Sequence, residues 1–166
     1  AMYRAVTLFA MQNGYIKSDF FDKETLVNSL SAIKLNFKFN PDLGFAEMYL
    51  NDVNVENEIR TIEVSNLVSK VAEVSQVRTK LVEQQQEMGK NKGIVMDGRD
   101  IATVVFPDAE LKIFMNASAQ TRAQRRFDEL ISKGQTVTFE EVLKNVQERD
   151  YIDTHRDDSP LVIAND

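Results

Sequence analysis

Residues 93–100 read Gly-Ile-Val-Met-Asp-Gly-Arg-Asp, and residues 104–108 read Val-Val-Phe-Pro-Asp. A short apolar run that ends in an acid at a glycine turn constrains the fold strongly. It reads as a buried strand whose carboxyl end opens into a loop, because unbroken apolar runs of this length suit parallel strands covered on both faces. Leu111-Lys112-Ile113-Phe114-Met115 is a second run of this kind. Helical periodicity flanks both, so the pattern predicts an α/β layer fold with a parallel sheet.

The rest of the chain divides by its turn and cap signals. Residues 2–13 read as a helix stopped at Gly14, and Asp22 is placed to cap a second helix carrying Leu26, Val27 and Leu30. Residues 35–39 alternate as a half-buried strand, 40–44 form a turn, and 45–50 are a second strand. Asn51-Asp52 turns into a third short strand, giving a small antiparallel insert. The helical pattern resumes over 58–72, and Ser75 is expected to cap a helix that runs towards Gly89. Ser118 caps the next helix, with Ala119, Ala123, Phe127, Leu130 and Ile131 on its core face and Gly134 at its end. Thr138 and Glu141 form a capping box for the last helix.

Charge narrows the ligand. The 166 residues carry a net charge of -6, which argues against nucleic acid and anionic membranes as partners. Cysteine is absent from the sequence, so there is no disulfide and no thiolate metal site. Yet Arg122, Arg125, Arg126, Arg149 and Arg156 crowd into one stretch, with Arg99 just before it. Arginine presents a planar fork that matches phosphate oxygens in pairs, so a small phosphorylated ligand suits this cluster.

Three features carry candidate chemistry. An apolar strand ending in Asp97 has the form of a Walker B element, in which a carboxylate lies near Mg²⁺; taken alone, such an ending is commonly just a turn. Arg99 and Asp100 add charges of both signs beside it. In the last helix the apolar stripe Phe139, Val142, Leu143 and Val146 continues as Arg149, Asp153 and Arg156. That continuation reads either as a solvated helix end or as a cationic face lining a cleft, with Asp153 orienting the arginines. Arg122, Arg125 and Arg126 lie off the apolar face of the preceding helix, as a soluble basic face or as a mobile lid over a nucleotide phosphate. His155 is the sole histidine and has no partner for nucleophilic catalysis.

The chain resembles the bacterial cytidylate kinases, a P-loop nucleoside monophosphate kinase family. The resemblance rests on Ala1-Met2-Tyr3-Arg4, Glu58-Ile59-Arg60-Thr61, Asp97-Gly98-Arg99-Asp100, Thr103-Val104-Val105-Phe106-Pro107-Asp108-Ala109, Arg122-Ala123-Gln124-Arg125-Arg126 and Glu148-Arg149-Asp150, and runs in order through the whole chain. It implies a cytoplasmic enzyme that moves the γ-phosphoryl group of ATP to CMP or dCMP with Mg²⁺. It also implies a core over 1–34 and 82–118, a CMP-binding insert with flanking helices over 35–81, an Arg-rich lid over 119–157, and a return to the core from 158 to 166.

The same resemblance distributes roles. Arg4, Arg99 and Arg149 match residues that hold the phosphate of CMP, and Asp153 and Arg156 match residues near its ribose and phosphate. Ser69, Arg78 and Asp100 match residues that read cytosine. Arg125 and Arg126, with Arg122, match lid residues near ATP, and Asp97 would face Mg²⁺. Chemistry agrees with Asp100: a carboxylate accepts from the exocyclic amine of cytosine and repels the carbonyl that uracil has there. Ala102 stands where the family usually has glycine.

One departure is large. The family opens with a strand and a Gly-rich loop ending in Gly-Lys, and none of the six glycines here forms such a loop. A coding sequence that begins upstream of Met2 is the favoured explanation; ends left out of the 166 residues, or a naturally shortened paralogue, are the others. With the first strand and P-loop absent, the expectation is impaired kinase activity and self-association through exposed core. Two further readings remain open, a non-catalytic nucleotide-binding module and an arginine-faced scaffold without a ligand.

Overall fold

Helix α1 (Met2–Gln12) buries Met2, Ala5, Val6, Leu8 and Ala10. With Thr7 they include four consecutive residues, so the helix is buried around most of its girth, and it packs on α3 (Ile62–Ala72) and on the sheet. Gly14 takes the left-handed conformation (φ 72°) and closes the helix, as expected. The computed structural model describes residues 1–164, so the last part of the expected return to the core, residues 165–166, lies outside the described residues. The chain divides into two units, Ala1–Val77 and the residues from Arg78 onward.

In the first unit, Asp22 caps the short helix α2 (Lys23–Asn28) by accepting from the Thr25 amide at 3.0 Å and the Thr25 hydroxyl at 2.8 Å. The amide bond, with help from the hydroxyl, holds the Asp22 carboxyl below its usual range. Strands β1 (Leu35–Asn40), β2 (Phe45–Leu50) and β3 (Val53–Asn54) pair antiparallel in that order. Asn51 and Asp52 both have positive φ (48° and 67°), which is the backbone of a two-residue type I′ hairpin turn.

The register places Leu35 opposite Leu50, Phe37 opposite Met48 and Phe39 opposite Ala46 on one face. Leu35, Met48 and Leu50 are buried, but Phe37 and Phe39 are exposed. The expected half-buried strand is therefore buried only at its base, because the hairpin extends past the helices that cover it. The expected continuous helix over 58–72 is also interrupted. Glu58–Arg60 forms a 3₁₀ turn, and Thr61 then caps α3 by accepting from the Val64 amide at 3.4 Å. Ser75, expected as a cap, is the first residue of α4 (Ser75–Gly89).

A buried carboxylate fastens this unit. Glu56 accepts from the Met48 amide at 3.0 Å and from Arg60 Nε at 2.8 Å, so it ties β2 to the 3₁₀ turn.

The second unit takes in α4 from Arg78, together with α5 (Ala119–Ser132) and α6 (Phe139–His155). The expected caps are present: Ser118 accepts from the Thr121 amide at 3.1 Å, and Thr138 and Glu141 form the full capping box. Helices α5 and α6 pack on each other as a hairpin, with Phe127 edge-on to Phe139 at 6.2 Å between ring centres. On α5 only Ala123 and Leu130 are fully buried, and Ile131 faces solvent.

The expected parallel sheet does not form among the described residues. The sheet present is the antiparallel one, and residues 92–98 and 111–118 carry no strand. A strand has no hydrogen bonds of its own and exists only where a neighbour supplies a ladder. Neither apolar run has such a neighbour here, and Val95, Leu111, Ile113 and Met115 are exposed. Residues 101–105 instead make one turn of π-helix, closed by the Phe106 amide on the Ile101 carbonyl at 2.7 Å.

Removing both bonds that Glu56 accepts, with Glu56→Ala, should destabilise the protein by about 2 kcal/mol in a urea titration.

Candidate active site

The second unit buries little apolar surface: Leu81, Val105, Ala123, Leu130 and Val142. Its interior is mostly polar, with Arg78, Gln85, Asp100, Asn145, Asp153 and Arg156 all buried. Buried charges persist only when opposite charges neutralise them. Here the pairs are formed by residues that the sequence singles out.

Asp153 is the hub. It pairs with Arg99 from the turn, and it accepts from Arg156 Nη1 at 3.1 Å. Arg156 lies one residue beyond α6 and donates Nε and Nη2 to the Ser159 carbonyl at 2.9 and 2.7 Å. Ser159 has φ 50°, an uncommon backbone for a non-glycine residue, and the guanidinium grip on its carbonyl holds it there. The charged continuation of the α6 stripe therefore runs inward, not to solvent.

Arg149 sits one turn earlier on α6. Its Nε is buried with no hydrogen-bond partner among the described residues. Burial lowers its pKa to about 10, and the neighbouring Arg99 adds to the shift. Asp153 and Asp150 oppose it only in part, and Arg126 adds repulsion. The sign follows from linkage. Below about pH 10 the folded state carries the full cost of the buried cation, and stability from this group rises with pH between about 10 and its ordinary value. A bound anion would remove that cost at neutral pH.

Asp100 and Arg78 form a second buried pair, from the turn and from α4. Arg78 Nε also lies 3.8 Å from an Asp158 oxygen. A carboxylate has about four acceptor positions, so Asp100 keeps capacity for a ligand donor beside Arg78. Asp97 differs from both: it is exposed, and no described residue pairs with it.

The hairpin arginines separate into three states. Arg122 is clasped by Asp150 of α6 through two parallel bonds of 2.7 and 2.6 Å, and its Nε donates to the Ala117 carbonyl at 3.0 Å. The hydrogen bonds to Asp150 raise its pKa. Arg126 pairs with Glu129 of its own helix at 2.7 Å. Arg125 is exposed, with no partner among the described residues.

Arg4 and Ser69 belong to the first unit. Arg4 Nη1 donates to the Ile59 carbonyl and to Ser65 Oγ, both at 2.9 Å. Ser69 is buried on α3. Sequence reasoning missed Ser65, Asp150, Asp158 and Ser159. Asp150 had a visible signal, since it follows Arg149 inside a matched motif; the others depend on chain folding with no local pattern.

Arginines around buried carboxylates, beside an exposed acid, make a site suited to a small phosphorylated ligand. The family model described as Cytidylate kinase matches residues 1–166. The chain is 76% identical to a cytidylate kinase of Flavobacterium johnsoniae over all of its own length and 72% of that protein's. It is 74% identical to one of Flavobacterium psychrophilum over its full length and 74% of that protein's. Against one of Bacteroides thetaiotaomicron the identity is 57%, again over the full chain and 72% of the relative. The chain belongs to the cytidylate kinase family. No helix among the described residues is long and apolar enough to cross a membrane.

Asp153→Asn leaves Arg99 and Arg156 without their shared anion. Denaturant titration should show a loss of about 3 kcal/mol.

Proposed function

We propose that the protein transfers the γ-phosphoryl group of ATP to CMP or dCMP in the cytoplasm, giving the diphosphate. The observation that carries the reading within this chain is Arg149. A half-buried guanidinium whose Nε is enclosed and unpartnered among the described residues, repelled by Arg99 and Arg126 and only partly offset by Asp153 and Asp150, favours an added anion. A nucleotide phosphate supplies it, and the fork geometry of Arg99 and Arg149 suits phosphate oxygens. Asp153 pairs with Arg99 and draws on Arg149 electrostatically, and Arg156 fixes Asp153 in place. Arg4 and Ser69 keep the roles that family resemblance suggests, in phosphate and base recognition.

The base is read by Asp100 and Arg78. Asp100 accepts from the exocyclic amine of cytosine, while Arg78 both fixes that carboxylate and offers donors to the acceptor edge of the ring. UMP presents a carbonyl to Asp100 and leaves a buried mismatch, which discriminates strongly. Phosphoryl transfer itself asks the protein mainly for positioning and for charge opposite the moving phosphoryl group. Arg99 and Arg149 supply that charge at the acceptor, and Arg125 is the lid arginine most available to ATP. Arg126 and Arg122 would join it only by leaving Glu129 and Asp150.

Mg²⁺ fits Asp97. The ion commonly takes one or two protein carboxylates and completes its shell with water and phosphate. Asp97 is a carboxylate of that kind, exposed and without a competing cation. When bound, the ion neutralises phosphate charge.

These 166 residues contain no Gly-rich phosphate loop. A polypeptide of these residues alone should therefore bind CMP in preference to UMP while phosphorylating it slowly. Its exposed apolar runs should cause association, seen by light scattering of the same samples. Ordinary turnover in a coupled assay, or equal affinity for UMP, contradicts the reading. Arg149→Met should leave the ligand-free melting temperature unchanged or higher and weaken CMP binding about 10- to 100-fold by calorimetry.

A further inference from the structure

The face of α4 that carries Arg78 continues through Val82, Gln85 and Gly89, at i, i+4, i+7 and i+11. Besides the approach of Arg78 to Asp158, contacts from this helix fall on the segment that contains the Asp97–Asp100 turn. Arg78 holds Asp100. Gln85 Nε2 donates to the sulfur of Met96 at 3.6 Å, and the adjacent Gln86 donates to the Val105 carbonyl at 3.2 Å. A Cβ added at Gly89 would lie 2.4 Å from the Phe106 ring, so the segment after the turn packs against helix backbone there. One helix thus touches the turn, the residue before it and the residues that follow.

Gln85 is the unusual member. It is buried, yet its amide donates to a thioether, which is a weak acceptor, and its Oε1 has no hydrogen-bond partner among the described residues. A methionine has similar volume and would fill the position without an unsatisfied amide. Packing and stability therefore do not explain glutamine at this position. Its one directional contact is to Met96, the residue that precedes Asp97.

We propose that Gln85 is a positioning residue for the acceptor turn. Its amide anchors Met96 on α4 while Arg78 anchors Asp100, so the turn between them is held at both ends. Asp97 and Arg99, the exposed members of the turn, take their place from these two anchors. Arg78 supplies an ionic anchor and Gln85 a neutral one. The inference rests on the functional reading above only for its consequence on CMP binding.

The test compares wild type with Gln85→Met and with Met96→Leu, which removes the sulfur acceptor and keeps an apolar side chain. In wild type the backbone amide order parameters of residues 95–99, measured by NMR, should lie above about 0.6, and both variants should fall below it. The melting temperature of Gln85→Met should stay the same or rise, and CMP binding should weaken about fivefold, the equivalent of one ordinary hydrogen bond. A structural role alone would move stability and binding down together. The proposal is overturned if the order parameters of the variants match wild type, if wild type is itself below that value, or if Gln85→Met lowers the melting temperature. If wild type shows no heat with CMP, the functional reading falls, and the order parameters still decide the role of Gln85.

Discussion

The buried carboxylate of Asp153 organises one of the two charged clusters inside the second unit. It joins three separate pieces of chain: the turn through Arg99, the end of α6 through Arg156, and the residues after α6 through its backbone carbonyl, which accepts from the Leu161 amide at 2.7 Å. Ion pairs of this kind are directional and fix the relative orientation of the groups they join. A unit with few buried aliphatic side chains takes its internal order from such contacts.

The first unit is built the other way. Its helices α1 and α3 and the base of its hairpin bury Val, Leu, Ile, Met and Ala in a continuous layer. Each fully buried side chain of Val or Leu size contributes about 1.5–3 kcal/mol before entropy is counted. Its buried carboxylate, Glu56, joins the Met48 backbone amide to the Arg60 guanidinium.

Local signals in the sequence were legible where the physics is local. Asp22, Ser118 and Thr138 cap the helices they were expected to cap, since a cap needs only a side chain two or three residues from an orphan amide. The two apolar runs at 93–96 and 111–115 mark surface that is suited to burial, but a run of letters does not name the strand that would pair with it. The parallel sheet expected from them is accordingly missing among the described residues. The site divides in the same manner. The inward turn of the α6 charge stripe could be read from spacing as one of two alternatives. The pairing of Arg78 with Asp100, and of Arg122 with Asp150, joins residues that only the folded chain brings together.

The clasp between Arg122 and Asp150 has a mechanical consequence. It joins the amino-terminal turn of α5 to the carboxyl-terminal part of α6, while the short connection through Gly134 joins their other ends. The hairpin is closed at both ends, like a loop of wire soldered at its opening. Bending or shear inside it meets resistance from two fixed points. Displacement of the hairpin as a whole then concentrates its torsion in the stretches that flank it, around 111–118 on one side and beyond Arg156 on the other.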